Sequence, residues 1–216
     1  MNKIKESFKI ALIDLNHMTL GVHTNTAPLG LGLIAHYLKK NISKECDVRL
    51  FKNPKVFSGA LARWKPDVLG MAQYVWNTEL NHHMAKLVKE MNPECLTIAG
   101  GPNLYLTSSE KIEYLKEKDF IDFCISYDGE IPFTELVKRF VNGKSINEIK
   151  DDLVPGTYAL SRDKKTLQES SFLPPRIKSL DVFGAIYADG FFDEFLDKGF
   201  HPFLQTHRGC PFKCTY

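Results

Sequence analysis

Cys210 and Cys214 are separated by three residues in a loop punctuated by Gly209 and Pro211, with His201 and His207 just upstream. Thiolates this close can share one metal centre, because sulfur is a preferred donor for iron–sulfur clusters and zinc. A mixed thiolate and imidazole set would suit zinc. Two unligated thiols in a reducing compartment are the third reading of the same residues. The other cysteines, Cys46, Cys95 and Cys124, lie in or beside predicted strands. An odd, scattered set of this kind makes no disulfide framework, and these three are expected to be small buried hydrophobes.

A second group of residues able to meet a ligand stands in short turns that follow apolar runs. These are Gln73-Tyr74-Val75-Trp76-Asn77, Gly100-Gly101-Pro102-Asn103 and Tyr127-Asp128-Gly129-Glu130. Glycines let a ligand approach the backbone, helix N-termini offer N–H donors, and Tyr74 and Trp76 could lie flat against a large ring. Each also has a plain structural use: Gly100-Gly101-Pro102 ends a strand, and Trp76 can cap the core. Gly30 and Gly32 do not form a dinucleotide fingerprint, since the third glycine is missing.

The elements that must position these turns alternate regularly. Apolar runs at 8–15, 46–51, 68–74, 95–99 and 120–126 read as strands. Between them, 29–40, 55–65, 78–91, 108–117 and 131–141 carry apolar residues at helical spacing. The clearest is 78–91, where Leu80, Met84, Leu87, Val88 and Met91 form one stripe, read as core packing. Five strand–helix units predict an α/β fold with a doubly wound, five-stranded parallel sheet of the Rossmann or flavodoxin-like type, because parallel strands need covered crossovers. In such sheets ligands bind outside the carboxyl ends of the strands, where the three turns and residues 16–28 meet. After residue 150 the pattern changes to a hairpin over 156–169 and an extended linker. The expected division is 1–150 for the sheet domain, 151–200 for hairpin and linker, and 201–216 for the start of a further domain.

Composition excludes several classes. At 216 residues, 44% hydrophobic and 25% charged, the chain is an ordinary globular one. A formal charge of +2 argues for neither nucleic acid nor an anionic membrane surface. No run approaches the ~20 apolar residues that span a bilayer, and the N-terminus lacks a signal-peptide apolar block. The expected location is the cytoplasm.

The stretch Thr206-His-Arg-Gly-Cys-Pro-Phe-Lys-Cys-Thr-Tyr216 resembles the opening of the radical S-adenosylmethionine (radical SAM) enzymes, whose signature is Cys-x-x-x-Cys-aromatic-x-Cys, commonly after Arg-Gly. A second resemblance covers about 8–143. Pro28-Leu-Gly-Leu before the first helix, Gln73-Tyr-x-Trp-Asn77, Gly100-Gly-Pro102 and Gly129-Glu-x-x-Phe133 are similar to the cobalamin-binding domains placed before a radical SAM barrel. Many such domains carry Asp-x-His-x-x-Gly after the first strand. Here Asp14-Leu-Asn-His17-Met-Thr-Leu-Gly21 puts the histidine one position late, so His17 is not expected to ligate cobalt.

The joint resemblance implies the N-terminal part of a cobalamin-dependent radical SAM enzyme, cut within its cluster motif and inactive by itself. Cys210 and Cys214 would be two ligands of a four-iron four-sulfur cluster, whose third cysteine would follow Tyr216. The cluster would cleave S-adenosylmethionine to a 5′-deoxyadenosyl radical that takes hydrogen from an unactivated carbon, with methyl transfer from cobalamin as the expected outcome. An electron donor would serve the cluster, and a small molecule or peptide would be the substrate. Cobalamin contacts are assigned to Gln73, Tyr74, Trp76, Asn77, Gly100, Gly101, Pro102, Tyr127, Gly129 and Glu130, with water, Tyr74 or Gln73 below cobalt. Two other functions compete: a radical SAM enzyme whose α/β domain docks substrate or partner, and a non-enzymatic flavodoxin-like module.

Overall fold

The structure, a computed structural model, describes residues 7–17, 25–104, 106–172 and 176–209. Cys210 and Cys214 lie outside the described residues.

The five strand–helix units form as the apolar pattern requires. They are β1 (Ser7–Ile13) with α1 (Leu29–Asn41), β2 (Glu45–Phe51) with α2 (Pro54–Leu61), and β3 (Val68–Ala72) with α3 (Thr78–Met91). Then come β4 (Leu96–Gly100) with α4 (Ser108–Glu117), and β5 (Phe123–Ile125) with α5 (Glu130–Val141). Helix starts follow local chemistry. Asn53 accepts from the backbone N–H groups of Lys55 and Val56, with Pro54 opening α2. Thr107 and Glu110 form a capping box on α4. A matching box, Ser145 with Glu148, opens α6 (Ile146–Asp151), a helix that the sequence reading passed over.

Strand order is β2-β1-β3-β4-β5, parallel throughout this part. Side chains alternate across the sheet with period two. Ile10 and Leu12 face a core built with α1 and α5, while Ala11 and Ile13 face a core built with α2, α3 and α4. Gly70 lies in β3 because a Cβ there would come 2.6 Å from Leu12 Cδ2 and 2.7 Å from Phe133 Cε2. The missing side chain is the space that Phe133 of α5 fills.

The sheet extends further than five strands. The hairpin, β6 (Thr157–Leu160) and β7 (Leu167–Glu169), adds antiparallel to β5 and makes a seven-stranded sheet. The cause is the open edge of β5, whose unpaired backbone groups β6 satisfies while burying all four of its own residues. Residues 176–200 pack on α1 through two short 3-10 turns, Leu180–Phe183 and Ile186–Ala188, and α7 (Asp193–Asp197). Phe192 is fully buried there, its ring over Gly32 where a Cβ would sit 1.9 Å from Cζ. Asp189 pairs with Nδ1 of His36 on α1, and Lys40 donates to the carbonyl of Val182 at 3.0 Å. Among the described residues no helix is long and apolar enough to cross a membrane.

Candidate functional site

The helix after β1 covers one face of the sheet, and the helix after β3 covers the other. β1 and β3 are neighbours, so their carboxyl ends diverge into a crevice, the usual ligand position in such sheets. A cavity of about 760 Å³ opens there. Leu12, Gly70, Ile98, Ile125 and Phe133 line its apolar depth between the sheet and the α1–α5 layer. Its mouth is lined by the rim turns and by residues 203–209.

The turn after β3 is held from inside. Asn77 is buried, donates from Nδ2 to Asp14 Oδ1 at 2.8 Å, and accepts at Oδ1 from the backbone N–H of Tyr74 at 2.9 Å. Thr78 Oγ1 donates to the carbonyl of Tyr74 at 2.7 Å. These bonds present Tyr74 and Trp76 as a stacked pair, ring centroids 4.7 Å apart and planes within 5°. Trp76 is 51% exposed, so its stack partner and position come from the turn rather than from the core. Gln73 behaves differently. Its side chain is fully buried, meets no hydrogen-bond partner among the described residues, and does not line the cavity.

Gly101 is required by two independent constraints. Its φ is 122°, and a Cβ would lie 2.6 Å from the carbonyl oxygen of Gln73. That close approach is what locks the turn after β4 to the turn after β3: the N–H of Gln73 donates to the carbonyl of Gly100, and that of Asn103 to the carbonyl of Gln73 at 3.2 Å. Pro102 opens the 3-10 turn Pro102–Leu104 and is exposed away from the cavity.

The turn after β5 supplies charge. Tyr127 adopts φ 65°, uncommon for a bulky residue, and is 58% exposed at the mouth. Asp128 accepts from Arg176 Nε at 2.9 Å. Glu130 opens α5 and is 4% exposed, and both its oxygens accept from the fork of Arg208, Nη1 to Oε2 at 3.1 Å and Nη2 to Oε1. Buried carboxylates require such a partner.

Asp14 at the end of β1 is a polar wall of the cavity beyond the assigned cobalamin contacts. Lys52, almost wholly buried, donates to it at 3.5 Å and to the carbonyl of Thr26 at 3.2 Å. Burial raises the Asp14 carboxyl above the usual carboxylate range, with Lys52 and Asn77 only partly offsetting it. Burial, reinforced by the negative Asp14, also raises the Tyr74 phenol, which therefore stays neutral. A raised folded value means that Asp14's contribution to stability is full below the unfolded value of about 3.9 and is lost as pH rises through the folded one. Urea unfolding of wild type and Asp14→Asn across that window should show the wild type losing stability relative to the variant as pH rises. The opposite slope would mean that Lys52 dominates.

Of the assigned residues, the structure brings Tyr74, Trp76, Gly100, Gly101, Tyr127, Gly129 and Glu130 to one cavity, while Gln73, Asn77 and Pro102 stand behind it. His17 is exposed and does not line it. Asp14, Lys52 and Arg208 line it in addition. Arg208 is signalled by the Arg-Gly pair before Cys210; Lys52 has no sequence signal, being one lysine among many.

No family model matches the chain. It is 28% identical over 156 residues to the cobalamin-dependent radical SAM methyltransferase TokK of Streptomyces tokunonensis, covering 70% of this chain and 22% of that protein. The chain is thus similar to a cobalamin-dependent radical SAM methyltransferase. It is likewise 28% identical over 155 residues to the 2-(S-pantetheinyl)-carbapenam-3-carboxylate methyltransferase of Streptantibioticus cattleyicolor. Among solved structures, the cobalamin-dependent S-adenosylmethionine radical enzyme OxsB, with aqua-cobalamin and S-adenosylmethionine bound, shares the fold. The TM-score is 0.58 over 85% of this chain and 25% of that one, at 16% identity. The match spans 22% of the length of each of the two methyltransferases.

Proposed function

We propose that the rim cavity binds cobalamin, and that the chain is the cofactor-binding portion of a cobalamin-dependent radical SAM methyltransferase acting on an unactivated carbon. The observation that carries this reading is the cavity itself, at the switch point of the sheet, with an apolar depth and a polar mouth. Its volume lies in the upper part of the range for small-molecule sites, and its open mouth leaves room for a ligand only partly enclosed.

The residues fit the group. A corrin is a broad, flat ring edged with amide arms and carrying a nucleotide tail. The stacked Tyr74 and Trp76 offer a flat surface at the mouth. Leu12, Ile98, Ile125 and the Phe133 ring over Gly70 make the crevice floor apolar, so an aromatic tail would meet hydrocarbon there. Asp14 and the backbone around Gly100, Gly101 and Gly129 supply acceptors and donors for amides.

When bound, cobalamin supplies a transferable methyl group. The chain's own residues bind and orient. Tyr74 meets the ligand as a neutral phenol, a donor rather than an anion, because burial and Asp14 hold its proton. Asn77 and Gly101 fix the two turns that would hold the ring. The apolar floor keeps water from the ligand's buried part. Cys210 and Cys214 are proposed as cluster ligands for S-adenosylmethionine cleavage, fed by an electron donor, with a small molecule or peptide as substrate.

Purified chain mixed with hydroxocobalamin should co-elute with it on gel filtration at one ligand per chain, with a shifted corrin absorbance. Free elution of all corrin would overturn the reading in favour of a docking domain.

A further inference from the structure

Residues 201–209 run across the cavity mouth, and the structure shows what fastens them. At one end His201 pairs with Thr26 as a β-bridge: its N–H donates to the carbonyl of Asn25 at 2.6 Å, and its carbonyl accepts from Ala27 at 2.9 Å. Tyr187 Oη then accepts from the N–H of Phe203 at 2.8 Å and donates to its carbonyl at 2.7 Å. At the other end Arg208 forks onto Glu130, lies 3.9 Å from Asp128, donates from Nε to Gln205 at 3.1 Å, and rests over the Phe183 ring at 5.3 Å. Between these two fastenings Leu204, Gln205, Thr206 and His207 are exposed, although Phe203 through Gly209 all line the cavity. Gly199 at φ 80° and Gly209 at φ 94° bracket the segment with joints that favour glycine.

We propose that the Arg208–Glu130 pair is a latch that holds this strap closed over the rim cavity. Arg208 is a positioning residue, and the latch governs how fast a ligand enters and leaves rather than how tightly it is held. The proposal rests on the cobalamin reading for the ligand that passes. Glu130 is buried at the start of α5, so opening the strap leaves its carboxylate without the counter-ion that satisfies it. The closed state is therefore the resting one, and a ligand as broad as a corrin must open it to pass. The neighbouring pair of Asp128 and Arg176 shares the same corner, so a freed Arg208 still has an anion nearby to swing towards.

The test has two arms. Without ligand, hydrogen exchange of the Ala27, His201 and Phe203 amides, which the closed strap keeps hydrogen-bonded, should quicken by about tenfold or more in Arg208→Gln while the α1 and β3 amides keep their protection. With hydroxocobalamin, stopped-flow mixing should show association and dissociation both faster by about tenfold in Arg208→Gln and Glu130→Gln, with the dissociation constant of Arg208→Gln moving much less. The double variant should be no faster than either single one, because both remove the same interaction. Unchanged strap exchange would overturn the latch, as would a weaker dissociation constant at an unchanged association rate, which would make Arg208 a direct ligand contact. Additive effects in the double variant would also overturn it. If wild type fails to retain hydroxocobalamin, the cobalamin reading falls, and the exchange arm still decides the latch.

Discussion

Phe192→Ala is expected to lower the unfolding free energy by about 3–5 kcal/mol, the range for deleting a buried aromatic ring. Phe192 is fully buried, packs 4.6 Å from Tyr187 between ring centroids, and sits over Gly32 of α1. Tyr187 in turn fastens Phe203. Removing the ring should therefore loosen both 180–200 and the strap. Gly32→Val offers the reciprocal test: a Cβ 1.9 Å from Phe192 Cζ cannot coexist with the ring's present position. Both variants should move the urea midpoint down together, with exchange rising in 180–209 before the sheet. A Gly32→Val protein as stable as wild type would mean that this segment does not depend on α1.

Gly101→Val is the second large effect. It places a β-branched residue at φ 122° and drives its Cβ into the carbonyl of Gln73 at 2.6 Å. Strain of this kind costs about 1–3 kcal/mol before the clash is counted. The neighbour is backbone, which cannot swing aside, so the two rim turns must separate. Hydroxocobalamin retention should then fall by at least about tenfold, equivalent to about 1.4 kcal/mol. Far-ultraviolet circular dichroism should stay near wild type, because β3 and β4 lie below the contact. Unchanged affinity would place the ligand away from these turns.

The sheet was legible because its inner strands β3, β4 and β5 are buried on both faces and read as short apolar runs between helical stripes. The hairpin's pairing was not: β6 and β7 read as a hairpin, but nothing local shows that β5 leaves an edge for them. The docking of 176–200 was equally hidden, since Gly32 and Phe192 are 160 positions apart in sequence and neither is unusual alone. In the site, glycine and aromatic positions pointed to the rim because their chemistry is rare elsewhere. Asn77 and Gln73 show the limit. Polar residues in a turn look the same in sequence whether they line the cavity, as Tyr74 does, or spend their bonds on Asp14 and the backbone, as Asn77 does. Lys52 became a site residue only when folding buried it beside Asp14.

Hydrogen exchange of the chain with and without saturating hydroxocobalamin shows whether a corrin occupies the cavity at the carboxyl ends of β1, β3, β4 and β5. A corrin bound there should slow exchange in four separate segments, 73–77, 100–104, 126–130 and 203–209, with little change along the outer faces of α2 and α4. Protection confined to the α2–α4 side, or none in the presence of bound corrin, would contradict it.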